Sequence, residues 1–275
     1  MNRSRLAFIG GGNMARSIIG GLVADGHPPD RIHVADPGAD QRTRLEQDFG
    51  VTTSAENHEV VAEADVVVLA VKPQMMAEVA GALATAVAAS APLVVSVAAG
   101  IRQQALASWL KYDGPIVRCM PNTPALIQCG MSALHANDAV TPEQRELATT
   151  ILGATGEVVW VDEESELDIV TAISGSGPAY YFAFMEAMEK AAVARGLPAT
   201  TARKLVLGTA LGAARMAHGS ADDPATLRAN VTSRGGTTAA ALAALADGGL
   251  EDLVDAAVDA ARKRSIELGD ELGEQ

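Results

Sequence analysis

The chain has 275 residues, enough for one large domain or two ordinary ones with a substantial core. Apolar residues make up 48% of it and aromatic ones only 3%, so the core rests on Ala, Val, Leu and Ile with closely packed backbones. Lys plus Arg total 21 against 34 for Asp plus Glu, and the resulting −13 argues against nucleic acid and membrane surfaces as partners.

The opening residues, Met1-Asn2-Arg3-Ser4-Arg5, run into a strand expected over Leu6–Gly10, too short for the apolar core of a signal peptide. Further strands are expected at Arg31–Ala35, Asp65–Val71, Pro92–Ala98, Pro115–Cys119, Met131–His135 and Glu157–Val161. Helical patterns separate them at Met14–Asp25, Asp40–Asp48, Glu59–Glu63, Met75–Ala88, Arg102–Leu110 and Pro142–Thr155. Alternation of this kind predicts a parallel sheet with helices on both faces. Past the acidic Asp162-Glu-Glu164 no strand pattern remains. Helical runs follow at Asp168–Ser174, Ala179–Arg195, Thr200–Ala217 and Leu250–Leu268. The expected division is therefore an α/β domain over 1–162 and an all-helical domain over 163–275. No apolar run is long enough to span a membrane, and two cysteines, Cys119 and Cys129, fit a reducing compartment, so a cytoplasmic protein is expected. Both thiols read as buried groups, since no base is spaced near them.

The first strand ends in Ile9-Gly10-Gly11-Gly12-Asn13-Met14-Ala15 and a helix follows at once. Gly10, Gly12 and Ala15 fill the small positions of a dinucleotide turn: a tight bend, a close approach to pyrophosphate, and a close helix–strand contact. The helix start adds free N–H groups and partial positive charge. Asp36, at the end of the second strand, stands near the spacing of about 20 residues at which a carboxylate meets the adenine ribose. There it would favour NADH. It is equally readable as a turn Asp before Pro37, and Arg42 and Arg44 would suit a 2′-phosphate, so NADPH and NADH both stay open.

Val71-Lys72-Pro73 ends another strand and should lie beside the cofactor, although Lys72 also reads as a solvated charge. Cys119-Met120-Pro121-Asn122-Thr123-Pro124 gives a rigid loop at the same edge, where a nicotinamide would arrive. Farther on, Asn230-Val231-Thr232-Ser233-Arg234-Gly235-Gly236-Thr237-Thr238 precedes an alanine-rich helix. Its successive amides from Gly235 to Thr238 suit a carboxylate, with the Ser233, Thr237 and Thr238 hydroxyls assisting. The plain alternative is an N-cap with flexible glycines. Ser174-Gly175-Ser176-Gly177-Pro178 either shapes a pocket floor or joins two helices. No histidine pairing at metal spacing and no nucleophilic triad is visible, which is compatible with hydride chemistry that needs little protein acid–base machinery.

Together, Ile9–Ala15, Ala70–Gln74, Val117–Pro124, Ser174–Tyr180 and Val231–Thr238 resemble the pyrroline-5-carboxylate reductase family, in order and across nearly the full chain. The resemblance implies a Rossmann-type N-terminal domain and an all-α dimerisation domain. It also implies NADPH- or NADH-dependent reduction of a cyclic imino acid to proline, and homodimers that assemble into larger rings, a decamer among them. It implies that the loop matching Val231–Thr238 reaches the site from the partner subunit, with Thr238 near the ring nitrogen, and that Asn57 contacts the adenosine end. One departure is Arg234, where the family usually has proline. The competing readings are a related imine or 3-hydroxyacid oxidoreductase, which would want a lysine early in the run Ala179–Arg195, and a non-catalytic dinucleotide sensor, which would need no carboxylate nest.

Overall fold

A computed structural model describes residues 4–273, so Met1-Asn2-Arg3 of the run into the first strand lie outside the described residues. The chain forms two compact units, one of Met1–Ser176 with Ala260–Gln275 and one of Gly177–Asp259. This division falls later than the one at 162 expected from the loss of strands. The reason is local: Leu167 and Ala172, in the helical stretch after that point, are buried in the first unit.

The first unit is built on eight strands: β1 (Leu6–Ile9), β2 (Ile32–Ala35), β3 (Thr52–Ser54), β4 (Val66–Leu69), β5 (Leu93–Ser96), β6 (Ile116–Met120), β7 (Gly130–Ala136) and β8 (Gly156–Trp160). They lie in the order β3-β2-β1-β4-β5-β6-β7-β8. The first six give the order of a doubly wound dinucleotide fold, which reverses direction at β1. The parallel sheet expected from the sequence carries one antiparallel pair, β6 with β7. Residues 121–129 are too few for a crossover, which needs a dozen or more, so the chain can only turn back. β3 was not expected at all: Thr52-Thr53-Ser54 is a short polar strand at the sheet edge and carries no apolar signal.

Alternation along the central strands feeds two cores. Leu6, Phe8, Val34, Val66, Val68 and Val95 face one side. There they meet α1 (Asn13–Ala24), α2 (Ala39–Phe49) and α6 (Pro142–Gly153) through Ile18, Leu45 and Ile151. Ala7, Ile9, Val67, Leu69 and Val94 face the other, against α3 (Asn57–Val61), α4 (Met76–Ser90) and α5 (Gln103–Leu110). At Gly21 in α1 an added Cβ would fall 2.1 Å from the Ala154 carbonyl oxygen, so the absence of a side chain sets that helix contact. After β8 come α7 (Glu166–Val170) and a wide π turn at Thr171–Gly175.

The second unit contains α8 (Gly177–Ala194), α9 (Ala199–Gly219), α10 (Pro224–Asn230), α11 (Thr237–Asp247) and the first part of α12 (Leu250–Gly273). α10 was not anticipated, although its signals are present: the Asp223 carboxylate accepts from Thr226 N–H at 2.7 Å, and Pro224 takes the first helical position. α8 and α9 pack together, burying Ala202 and Val206. Many large apolar side chains of this unit are nevertheless bare, among them Tyr181 (70% exposed), Phe182 (64%), Met216 (60%) and Leu253 (66%). The last stretch of α12 belongs to the first unit. Leu272 joins its core, Ser265 Oγ donates to Asp168 at 2.7 Å, and Arg102 pairs with Asp270 at 2.8 Å.

Candidate active site

The glycine turn sits at the carboxyl end of β1. Gly10 has φ +94°, and a Cβ there would fall 2.9 Å from the Ala70 carbonyl oxygen, so only glycine fits between β1 and the end of β4. Gly12 is the N-cap of α1 and receives no side-chain cap. Nothing lies within 4 Å of the position its Cβ would occupy. Uncapped N–H groups at the head of a helix, facing open space, fit the pyrophosphate of a dinucleotide. Asn13 and Met14 open that helix, Asn13 exposed and Met14 packed on the core.

Asp36 does more than wait for a ribose. One carboxylate oxygen accepts from Gly11 N–H at 2.8 Å and the other from Gly38 N–H at 2.8 Å. The Gln41 amide donates to the Gly11 carbonyl, and Arg42 donates to the carbonyls of Asp36 (2.7 Å) and Pro37 (3.0 Å). The turn after β2 therefore clasps the glycine turn at both backbone ends. Sequence spacing placed Asp36 at this edge but gave no hint of the clasp. Arg42 is tied to carbonyls of its own turn, while among the described residues no bond or ion pair of Arg44 is seen.

Val71, Lys72 and Pro73 follow β4, as expected. The Val71 side chain lies against Gly10, while Lys72 is exposed and makes no ion pair among the described residues. Asn57 is half-buried at the first position of α3. Asn122 lies at the end of β6, but its side chain turns into the protein, accepting from Met131 N–H at 2.9 Å and donating to the Ser174 carbonyl at 3.1 Å. Cys119 is buried, and burial pushes its thiol up to about 12 against a smaller opposing effect of a Ser132 hydrogen bond. Cys129 is exposed, which corrects the expectation that both thiols are buried.

In the second unit the loop 231–238 runs from α10 to α11. Val231 is 61% exposed. Gly236 N–H donates to the Ser233 carbonyl at 3.1 Å, closing a turn with Arg234 and Gly235 at its centre. Gly235 has φ +72° while Arg234 does not have a positive φ, the pattern of a type II turn. That turn favours proline at the position Arg234 holds. A Cβ on Gly236 would fall 2.5 Å from Ser233 Oγ. The expected nest is thus corrected in one member: the Gly236 amide is used within the loop. Thr237 and Thr238 begin α11, which has no side-chain cap, so their amides have no carbonyl one turn back to bond. Lys190, the only lysine in the run Ala179–Arg195, sits late in it and pairs with Glu186 at 2.6 Å on an exposed stretch of α8.

Comparison with known proteins brings the two halves under one heading. Residues 164–268 match the pyrroline-5-carboxylate reductase dimerisation family model, and residues 5–100 match that of coenzyme F420-dependent NADP oxidoreductases. The chain is 50% identical to a pyrroline-5-carboxylate reductase of Pseudomonas aeruginosa, covering 100% of both, and 46% identical to one of Vibrio alginolyticus, covering 98% of both. Among solved structures it is similar to a pyrroline-5-carboxylate reductase of Coxiella burnetii, with TM-score 0.94 and 43% identity over 97% of this chain and 99% of that one. The Plasmodium falciparum pyrroline carboxylate reductase, solved with NADP bound, matches with TM-score 0.85 and 28% identity over 98% and 99%. On end-to-end identity of this order, over a fold whose glycine turn and helical loop lie where the sequence motifs put them, the chain belongs to the pyrroline-5-carboxylate reductase family.

Proposed function

We propose that this chain reduces 1-pyrroline-5-carboxylate to proline at the expense of NADPH or NADH. The observation that carries the reading is full-length identity of 50% to a reductase of that name, with an uncapped glycine turn at the switch point of the sheet. Gly10, Gly12, Asn13 and Met14 would hold the pyrophosphate, Asp36 and Asn57 the adenosine end, and Val71, Lys72 and Pro73 with the loop at Asn122 the nicotinamide side. When bound, the dinucleotide supplies the hydride that reduces the imine carbon.

The chain's own contribution is positioning. The amides of Thr237 and Thr238, with Gly235 beside them, present donors to the substrate carboxylate, and the Ser233 and Thr237 hydroxyls add to them. The Thr238 hydroxyl orients the ring nitrogen, Val231 gives the loop an apolar wall, and water supplies any proton still needed. Holding both reacting centres within about 3–3.5 Å accounts for most of the rate in such a site. The working form is a homodimer in the cytoplasm. Its support is the set of large apolar side chains left exposed along α8, α9 and α12, among them Tyr181, Phe182, Met216 and Leu253. Further assembly into a ring, a decamer among the options, would build on that dimer. Among the described residues no helix is long and apolar enough to cross a membrane.

The decisive measurement is the fall in NADPH and NADH absorbance on adding pyrroline-5-carboxylate. Oxidation that depends on the imino acid supports the reading. Cofactor binding with no such oxidation would leave only a dinucleotide sensor.

A further inference from the structure

The Asn122 side chain fastens the loop after β6 both to β7 and to the π turn. The Asn122 amide spans two elements: its oxygen takes the Met131 N–H at 2.9 Å, fixing the start of β7, and its nitrogen reaches the Ser174 carbonyl at 3.1 Å. Ser174 lies in the π turn, which closes by Ser176 N–H donating to the Thr171 carbonyl at 2.8 Å. In a continuing helix the Ser174 carbonyl would be satisfied by the N–H of residue 178. Residue 178 is proline, which has none. Asn122 supplies the donor that Pro178 lacks. The Met120 side chain packs on the same turn so closely that a Cβ on Gly175 would fall 2.3 Å from Met120 Cε. Met120, Asn122, Ser174 and Gly175 thus lock together at the carboxyl edge of β6, where the nicotinamide of a doubly wound fold comes to rest.

We propose that Asn122 is a positioning residue for hydride transfer, acting as a strut between the loop after β6 and the π turn rather than as a cofactor ligand. The inference rests on the reductase reading above. Its geometry makes a prediction that a ligand role does not: a backbone N–H returned at residue 178 would satisfy the Ser174 carbonyl but leave the loop after β6 untied, so stability and turnover should respond differently.

The test uses the full chain with four sequences: wild type, Asn122→Asp, Pro178→Ala and the double variant. Asn122→Asp keeps the acceptor for Met131 and removes the donor to Ser174. It should lower kcat roughly 10- to 100-fold, the order expected for a displacement of about an ångström. The Kd of NADPH, read by fluorescence, should move less than about 2-fold, because a strut makes no bond to the dinucleotide. Pro178→Ala in that background should regain stability, because the Ser174 carbonyl has a donor again, but should leave kcat low, because the loop stays untied. A rise in Kd that matches the loss of kcat would make Asn122 a ligand and overturn the strut. Full turnover in Asn122→Asp, or turnover recovered in the double variant, would overturn it too. Thermal unfolding of the same four proteins reads the coupling between the two positions without substrate. A wild type inactive on the imino acid would therefore sink the reductase reading alone, whereas additive shifts in Tm would sink the strut alone.

Discussion

At the scale of single residues, the site depends on atoms already bonded before any ligand arrives. Asp36 bonds Gly11 N–H and Gly38 N–H, so its replacement should act on two properties at once. Asp36→Ser removes the negative charge that opposes a 2′-phosphate, and the NADPH/NADH ratio of kcat/KM should rise. It also loosens the glycine turn, so the Kd of both cofactors should weaken; an unchanged ratio in steady-state assays would refute the discriminating role. Thr238→Ala should cost on the order of 1–3 kcal/mol of transition-state stabilisation, roughly 5–150-fold in kcat/KM, with cofactor affinity held. Loss of NAD(P)H binding at full turnover would reassign that loop. The thiols offer a check on the fold itself. Cys119, buried and with its thiol raised to about 12, should resist alkylation in the native protein, while exposed Cys129 should react. Peptide mapping after iodoacetamide treatment reads both.

At the scale of elements, short apolar runs and period-3.6 patterns made seven of the strands and most helices legible: β1 and β4 are apolar throughout, β5 is apolar up to Ser96, and all three are buried on both faces. What escaped was structure made by something other than apolar pattern. β3 is polar and held by its neighbour's backbone, and the reversal at β7 follows from the shortness of 121–129. The clasp at Asp36 and the strut at Asn122 are long-range bonds that no spacing encodes. The glycines of 235–236 read in the sequence as a candidate anion nest, while the turn that consumes the Gly236 amide gave no signal there. That turn also suits the proline that the family resemblance leads one to expect where Arg234 stands. Arg234→Pro should keep kcat near its original value and reduce the salt dependence of KM for the anionic substrate, since a nearby cation is lost; assays between low and high ionic strength would show it. Gly21→Ala should destabilise by about 1–3 kcal/mol, because its methyl would overlap the Ala154 carbonyl. Denaturant titration is the measure.

At the scale of the whole molecule, the bare side chains of the helical unit set the expected association state. Half of the chain's four phenylalanines, Phe182 and Phe184, stand 64% and 50% exposed on α8, an arrangement that a second copy would cover. Light scattering at assay concentration should show no active monomer. Protonation gives a second global readout. Burial, the largest influence, holds the His27 imidazole below its ordinary value of 6.5. The unfolded chain therefore binds a proton that the native one does not, and stability should fall as pH drops below about 6.5. His27→Gln should flatten that slope in urea melts compared at pH 7.5 and 5.5.

The return of α12 to the first unit has a consequence for how the molecule can be cut. The sheet unit leaves off at Ser176 and resumes at Ala260, so the helical unit is an insert with both ends anchored in its host. A fragment ending at Ser176 would lack Leu272, whose Cδ1 lies 3.3 Å from where a Cβ on Gly100 would stand, and would leave Asp168 without the Ser265 hydroxyl. Such a fragment should be poorly soluble alone and rescued by a synthetic peptide of residues 260–273 added in trans. A split of that kind turns the end of α12 into a complementation tag, whose binding reports on the integrity of the sheet unit without any substrate.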